Sequence, residues 1–494
     1  MRKAYLCLIL ALAALLLLGA AQAEVVHSGT IDGGGYWEVD ENGVMTIGGE
    51  VAVYDLEVNG TELQNEITKV VIGPGVTYLD FGTFSYCYSL TEFEVDPGNP
   101  NYTSLDGLVY DKQMTTAIVC PTMKEGDLTL PAGVTAIGDD AFVDTHLNSL
   151  TLPDGLTSIG SQAFWSCNLD TIRFPATLTE IEWSSFSYNN LSNILVDPES
   201  ALYTSVNGVL FSKDGKTLCL YPGGRTGSYT VPAGTERIHP NAFYGAQTTA
   251  LTLPEGVQSI GSSAFSGSMI QTINLPASLV SIGADAFDSC NDLNTVNFAG
   301  TAAQWAQVSV GEHNSALLMQ TIHCQDSDVE PQPITGSIGM EEGEVTYTLS
   351  PNGLLTITGA GEWNYWAFSN NTTIQRAVLE SGVTEIGWGG FSWAANLQEV
   401  IIPDTVTEIK YEAFYGCRSL TGITIPASVT ALGDEVFDSC DRLKRITFGG
   451  TMAQWEALVE GTDNSKIGKC TIICSDGTIN EQGAESGSCG DNVT

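Results

Sequence analysis

The residues from Leu150 to Phe186, LTLPDGLTSIGSQAFWSCNLDTIRFPATLTEIEWSSF, state one pattern twice. Leu152-Pro153 returns as Phe174-Pro175, Ile159 as Ile181 and Phe164 as Phe186, each 22 residues on. The frame recurs at Phe142, Phe243, Phe265 and Phe287, then at 23-residue spacing through Phe391, Phe414 and Phe437. A fixed period in the twenties limits the chain to a stack, because a turn of that length buries its apolar face only against its neighbours.

Each repeat position has a physical reading. Leu150-Thr151-Leu152, Ile172-Arg173-Phe174 and Leu251-Thr252-Leu253 alternate, which predicts a short strand with one buried face. A proline (Pro131, Pro153, Pro175, Pro232, Pro254, Pro276, Pro403, Pro426) ends that strand by withholding an N–H. A second apolar pair such as Leu156 and Ile159 follows, often with a glycine behind it (Gly138, Gly160, Gly261, Gly283, Gly387, Gly433), where a corner of positive φ is expected. The Ala-Phe pair then drops a ring inward from a short helical or 3-10 turn. Three residues later stands a small side chain, five times cysteine (Cys87, Cys167, Cys290, Cys417, Cys440). Thr145, Asn189, Ala246, Ser268 or Ala394 fills the same slot elsewhere, so these cysteines are read as reduced packing residues and not as a disulfide ladder.

The residues carrying this frame resemble the BspA-like leucine-rich repeats, a family of bacterial secreted and cell-surface proteins. The resemblance covers nearly all of the chain after its first residues. It implies a repeat solenoid, mainly β: a right-handed leucine-rich-repeat stack of 22-23-residue turns, with one parallel sheet plus short helical or 3-10 turns, in two tandem modules. It also implies adhesion to host or neighbouring-cell proteins and matrices.

Along the chain, Arg2-Lys3, an apolar run from Ala4 to Leu18 and Ala21-Gln22-Ala23 predict a signal peptide over residues 1–23. Residues 24–68 lack the repeat, and their Asn42-Gly43-Val44-Met45-Thr46-Ile47 returns as Asn352-Gly353-Leu354-Leu355-Thr356-Ile357. We read 24–68 and 336–376 as β-rich N-terminal caps, because the first turn of a solenoid must be covered. The repeats occupy 69–300 and 377–450. Two insertions, about 96–127 and 197–228, break the first stack identically, since Tyr102-Thr103-Ser104 returns as Tyr203-Thr204-Ser205. Asp214-Gly215 between apolar runs marks the second insertion as a hairpin. Gln304-Trp305 and Gln454-Trp455 suggest helical C-terminal caps over 301–325 and 451–476, with the indole as a lid. Residues 326–335 read as a linker, and 477–494 as a linker and the opening of a third module.

The chain carries 58 Asp+Glu against 18 Lys+Arg, a net charge of −40, which repels nucleic acid and anionic membranes. With 43% hydrophobic residues it is a folded acidic protein and not an acidic tail. The five histidines (His27, His146, His239, His313, His323) occupy unrelated repeat positions, and no HExxH, GxSxG or phosphate-binding motif is present. Cys470 and Cys474 have no second pair to complete a zinc site. We therefore expect no catalytic, cofactor-binding or metal residues, no cofactor, no enzyme activity and no membrane span after signal cleavage.

Candidate contacts are then surface features. Outward strand positions Thr129, Thr151, Arg173, Thr230 and Thr252 form either a polar platform for protein or glycan, or a face chosen only for β-propensity. Trp183 and Trp388 stand three before the anchoring phenylalanine, where other turns carry Asp139, Ser161 or Ser262. Trp363, Trp366 and Trp393 lie near Trp388, with Tyr365 and Phe368. These rings either mark a contact surface or fold the second cap against its first turn; the second is the expectation. The sequence thus predicts a non-catalytic, secreted or surface-displayed monomer that adheres to an extracellular protein or glycan. The alternatives are a stalk presenting a downstream domain, and a carbohydrate-binding region of a larger secreted enzyme.

Overall fold

The computed structural model describes residues 23–54, 56, 63–84, 87–340, 345–361, 363–479 and 485–486. The apolar N-terminal segment 1–22 and the third-module opening from residue 487 lie outside the described residues. The described chain is a mainly β solenoid with few helices. Its contacts divide it into two compact units, Met1–Thr226 with Asn241–Ala246, and Gly227–Pro240 with Gln247–Thr494.

In the first unit the alternating segments pair in parallel and in register: Leu128 with Leu150 and Thr129 with Thr151, then Ile172 with Ile194. Inward residues Leu150, Ile172, Phe174 and Ile194 are buried, while Thr151 and Arg173 face out. The apolar pair after the proline is itself a strand. Ala136-Ile137, Ser158-Ile159 and Glu180-Ile181 form a second parallel sheet of two-residue strands, in register by isoleucine. The insertion strands Tyr102–Leu105, Leu108–Asp111 and Thr116–Val119 are antiparallel, and the last continues this second sheet in parallel with Ala136-Ile137. Its first hairpin turn is Asp106-Gly107, both at positive φ (52° and 83°). The other insertion uses Asn207-Gly208 (51° and 79°), which Asn and Gly reach most cheaply.

Between the two sheets runs the turn that carries the ring. Phe81–Phe84 is a 3-10 helix. In several of the other phenylalanine-anchored turns the segment is held between coils: the N–H groups of Asp140, Phe142 and Asp144 donate to the carbonyls of Ser161, Ala163 and Trp165. Such alternate bonding requires left-handed backbone two residues before and two after the ring, as at Asp140 and Asp144, Gln162 and Ser166, or Glu412 and Gly416. Non-glycine residues tolerate this because the inter-turn bonds over-determine it. The glycines expected to supply positive φ at the preceding corner do not: Gly160, Gly261 and Gly433 have ordinary φ. Their role is closeness, since a Cβ on Gly261 would lie 2.3 Å from the Pro240 nitrogen, and one on Gly433 2.4 Å from that of Tyr411. The same slot also takes Glu182 and Lys410, so glycine there is a packing preference.

The rings themselves stack. Phe142 and Phe164 lie 5.3 Å apart at 12°, and Phe164 and Phe186 4.9 Å apart at 15°. In the second unit Phe391, Phe414 and Phe437 repeat this at 5.4 and 5.6 Å, within 3° of parallel.

The beginnings and ends are built alike. Val25–Ile31, Gly35–Asp40 and Val44–Gly48 make an antiparallel sheet whose third strand runs parallel to Lys69–Ile72. Ile334–Ser337, Val345–Leu349 and Leu354–Gly359 do the same ahead of Arg376–Leu379. An antiparallel cover removes the open edge that a first coil would otherwise present. At the ends, Thr301 and Thr451 cap helices Ala302–Trp305 and Met452–Val459 through reciprocal bonds with Gln304 and Gln454. The indoles of Trp305 and Trp455 are buried 5.3 and 5.4 Å from Phe298 and Phe448. Beneath each lid an asparagine substitutes for the missing next coil. Asn314 accepts from the Phe287 N–H at 2.9 Å and donates to Gly283 O, and Asn464 accepts from Val436 N and donates to Gly433 O.

Candidate functional site

The candidate residues separate by burial. Trp363 is only 2% exposed and is not a contact residue: it packs edge-on against Phe368 and Phe391 in the core of the second stack. Phe368, stacked on Phe391 at 20°, is likewise core, so these two rings fold the second antiparallel cover onto its first coil. Trp183 is half-buried, leaning on the first core with its edge to Tyr203. The Trp-for-polar exchange in that turn therefore adds packing and leaves little ring for a ligand.

Trp366 and Trp393 are held by a shared device. Both sit at left-handed φ (62° and 58°), and each lies flat over the glycine one coil on. A Cβ on Gly389 would strike Trp366 Cε3 at 2.0 Å, and one on Gly416 would strike Trp393 Cε3 at 2.6 Å. Arg418 covers Trp393 at 5.0 Å from the ring centre, a cation–π contact, which leaves that indole half-buried. Trp366 remains 45% exposed and borders a cavity of about 580 Å³ with Glu312, His313 and Tyr347.

Trp388 stays open, and it is not alone. Tyr365 and Tyr411 occupy the same repeat position in the coils before and after it, giving ring centres 5.7 and 5.8 Å apart at tilts of 53° and 51°. Tyr365 is 61% and Trp388 47% exposed, while Tyr411 is half-buried. In the sequence Tyr365 stands only as a neighbour of Trp388, and Tyr411 does not stand out. The signal was the 23-residue step, which aligns all three. A shallow cavity of about 450 Å³ beside Trp388 and Tyr411 is lined by Glu408, Lys410 and Asp434. Lys410 pairs with Glu385 at 2.9 Å where both are largely buried, which holds the ammonium at the edge of this cavity.

The polar strand face is partly spent on itself. Thr129 and Thr151 are exposed neighbours in the first unit, and Arg173 pairs with Asp197 at 3.4 Å. In the second unit Thr230 is exposed beside Thr252, whose hydroxyl accepts from Asn274 at 2.9 Å; Asn274 in turn accepts from Asn297 at 2.8 Å. This ladder leaves Thr252 half-buried and its hydroxyl engaged.

The cysteine slot is internal chemistry. Cys87, Cys167, Cys290, Cys417 and Cys440 are buried and free. The thiols of Cys290, Cys417 and Cys440 donate to the carbonyls of Phe265, Phe391 and Phe414, the anchoring rings one coil back. Burial pushes the Cys87, Cys167 and Cys290 thiols up to about 12. Because only a thiolate attacks an alkylating reagent, these groups should be inert at pH 8 in the folded protein. Among the ten free cysteines of the described residues, half-exposed Cys324 should react first. In urea without reductant, thiol titration should count at least the ten free cysteines of the described residues. Titrating almost none would mean they are paired. Among the described residues no three His, Cys, Asp or Glu side chains converge as a metal-holding group, and no helix is long and apolar enough to cross a membrane.

Comparison with known structures gives likenesses at low identity. A leucine-rich repeat protein from Eubacterium ventriosum is 20% identical, covering 84% of this chain and 95% of that one, with a TM-score of 0.38. A leucine rich cell surface protein from Faecalibacterium prausnitzii is 20% identical over 88% and 98%, with a TM-score of 0.31. The pneumococcal vaccine antigen PcpA is 15% identical over 92% and 99%, with a TM-score of 0.38. No curated protein matches. The BspA type Leucine rich repeat region matches in six copies over residues 120–214, 221–309 and 363–480, more than half of the chain. With the coil period and stacked rings already described, this places the chain in the BspA-type leucine-rich-repeat family.

Proposed function

We propose that the protein is a non-catalytic binding scaffold that works outside the cell, secreted or displayed, and adheres to an extracellular macromolecule through the second stack. The observation that carries this reading is the column Tyr365, Trp388 and Tyr411. The solenoid folds with Asp139, Ser161 and Ser262 at that position, so a large ring there is not needed for packing. Three in consecutive coils expose apolar area that a repeat protein has no folding reason to expose. Large rigid rings lose little entropy when they anchor a partner. The apolar N-terminal segment and the acidic charge support an exported protein, because a chain of net charge −40 resists adsorption to anionic surfaces.

The test uses residues the repeat already accepts. A Trp388→Ser, Tyr411→Ser double variant should keep its thermal midpoint within about 2 °C, as surface changes do. Its retention on immobilised extracellular matrix proteins and glycans should fall at least tenfold, the loss of one anchor of about 1.4 kcal/mol. A midpoint that drops by many degrees, with binding lost only in step with folding, would return these rings to the core.

A further inference from the structure

We infer that the Tyr365–Trp388–Tyr411 column is a saccharide site that takes an extended, neutral glycan chain. This rests on the binding reading above and names its ligand. The column runs from coil to coil, and its neighbouring ring centres lie at near-equal separations of 5.7 and 5.8 Å. That separation is close to the rise per residue of an extended β-linked pyranose chain, so successive sugars can meet successive rings. The rings are turned 53° and 51° from one another, which suits a twisted polymer and spoils a flat apolar face for a protein. A pyranose presents axial C–H groups to an aromatic face and equatorial hydroxyls to its surroundings. The cavity beside Trp388 and Tyr411 supplies partners for those hydroxyls, with Glu408 and Asp434 as acceptors and Lys410 as a donor.

Charge selects the neutral class. Glu408 and Asp434 line the site and Glu412 and Glu435 lie on the adjoining turns, while Lys410 is already neutralised by Glu385. Burial raises the Glu435 carboxyl from its ordinary value, and the neighbouring carboxylates Glu412, Asp438, Asp463 and Asp434 raise it further, which marks a crowded acidic surface. A sulfated or uronic-acid polymer would meet this negative field and be repelled. Neutral hydroxyls would not.

The experiment titrates the full chain with cellohexaose, chitohexaose and laminarihexaose, reading tryptophan fluorescence and calorimetric heat. Saturable quenching by at least one of them is expected, with affinity reduced at least tenfold in Trp388→Ser and in Tyr411→Ser. Trp183→Ala, whose half-buried ring leans on the other unit's core, should titrate like the parent. Each serine variant is checked for an unchanged melting curve, and Trp388→Phe should recover part of the affinity by restoring a ring. If none of the three oligosaccharides binds but the chain still captures an extracellular protein through Trp388, the glycan inference falls and the binding reading stands. Binding confined to a sulfated glycan also overturns it. If neither protein nor glycan depends on Trp388, both readings fall.

Discussion

Replacing Phe164 by alanine is expected to destabilise the first unit by about 3–5 kcal/mol, the usual cost of removing a fully buried ring. The ring is enclosed on both faces, by Phe142 at 5.3 Å and Phe186 at 4.9 Å. No side chain from another layer can collapse into the gap, because each coil touches only its neighbours and their spacing is fixed by the parallel sheet of two-residue strands. Urea denaturation should show the midpoint shift. Trp183→Ala, one column away and half-buried, should cost clearly less. Equal losses would show that the stack of phenylalanines is not the central support of the coils.

Asn314→Ala should come second in effect. Its side chain accepts from Phe287 N and donates to the carbonyls of Gly283, Gly311 and Glu312 at 2.9–3.1 Å while itself buried. Alanine leaves the Phe287 N–H and the Gly283 carbonyl without that partner, at about 1–3 kcal/mol for each one that water cannot reach, while the Glu312 carbonyl keeps the Asp285 N–H. The Trp305 lid lies in the same end cap. Hydrogen exchange should therefore report early opening at 301–325, with the middle of the stack protected. Unchanged protection at that end would mean that the helix and its indole seal the stack alone. Asn464, hydrogen-bonded to Val436 N and Gly433 O, should behave the same way in the second stack.

The aromatic column was half legible. Trp388 stood out because a large ring replaced serine or aspartate in a known slot. Tyr365 and Tyr411 carry the same 23-residue step, yet reading along the chain gathers Trp363, Trp366 and Trp393 first because they are nearer in sequence. Those three then went different ways. Trp363 became core, Trp366 lay over Gly389, and Trp393 lay over Gly416 beneath Arg418. Neighbours along a turn point in unrelated directions, whereas residues one period apart must share a column.

The sequence by itself determined the solenoid, the strand before each proline, the inward phenylalanines and the buried free cysteines. All of these follow from a local period that each coil repeats, so that burial has one solution. Only the tertiary structure decided what depends on the contact between coils. The isoleucine pairs became a second parallel sheet because neighbouring coils bring Ile137, Ile159 and Ile181 into register. The glycines before the rings proved to yield room to the preceding backbone and not to turn a corner, since φ there is ordinary and the preceding coil is close. The left-handed turns at Asp140 and Asp144 exist because their N–H groups find carbonyls one coil on, a partner that no single repeat contains.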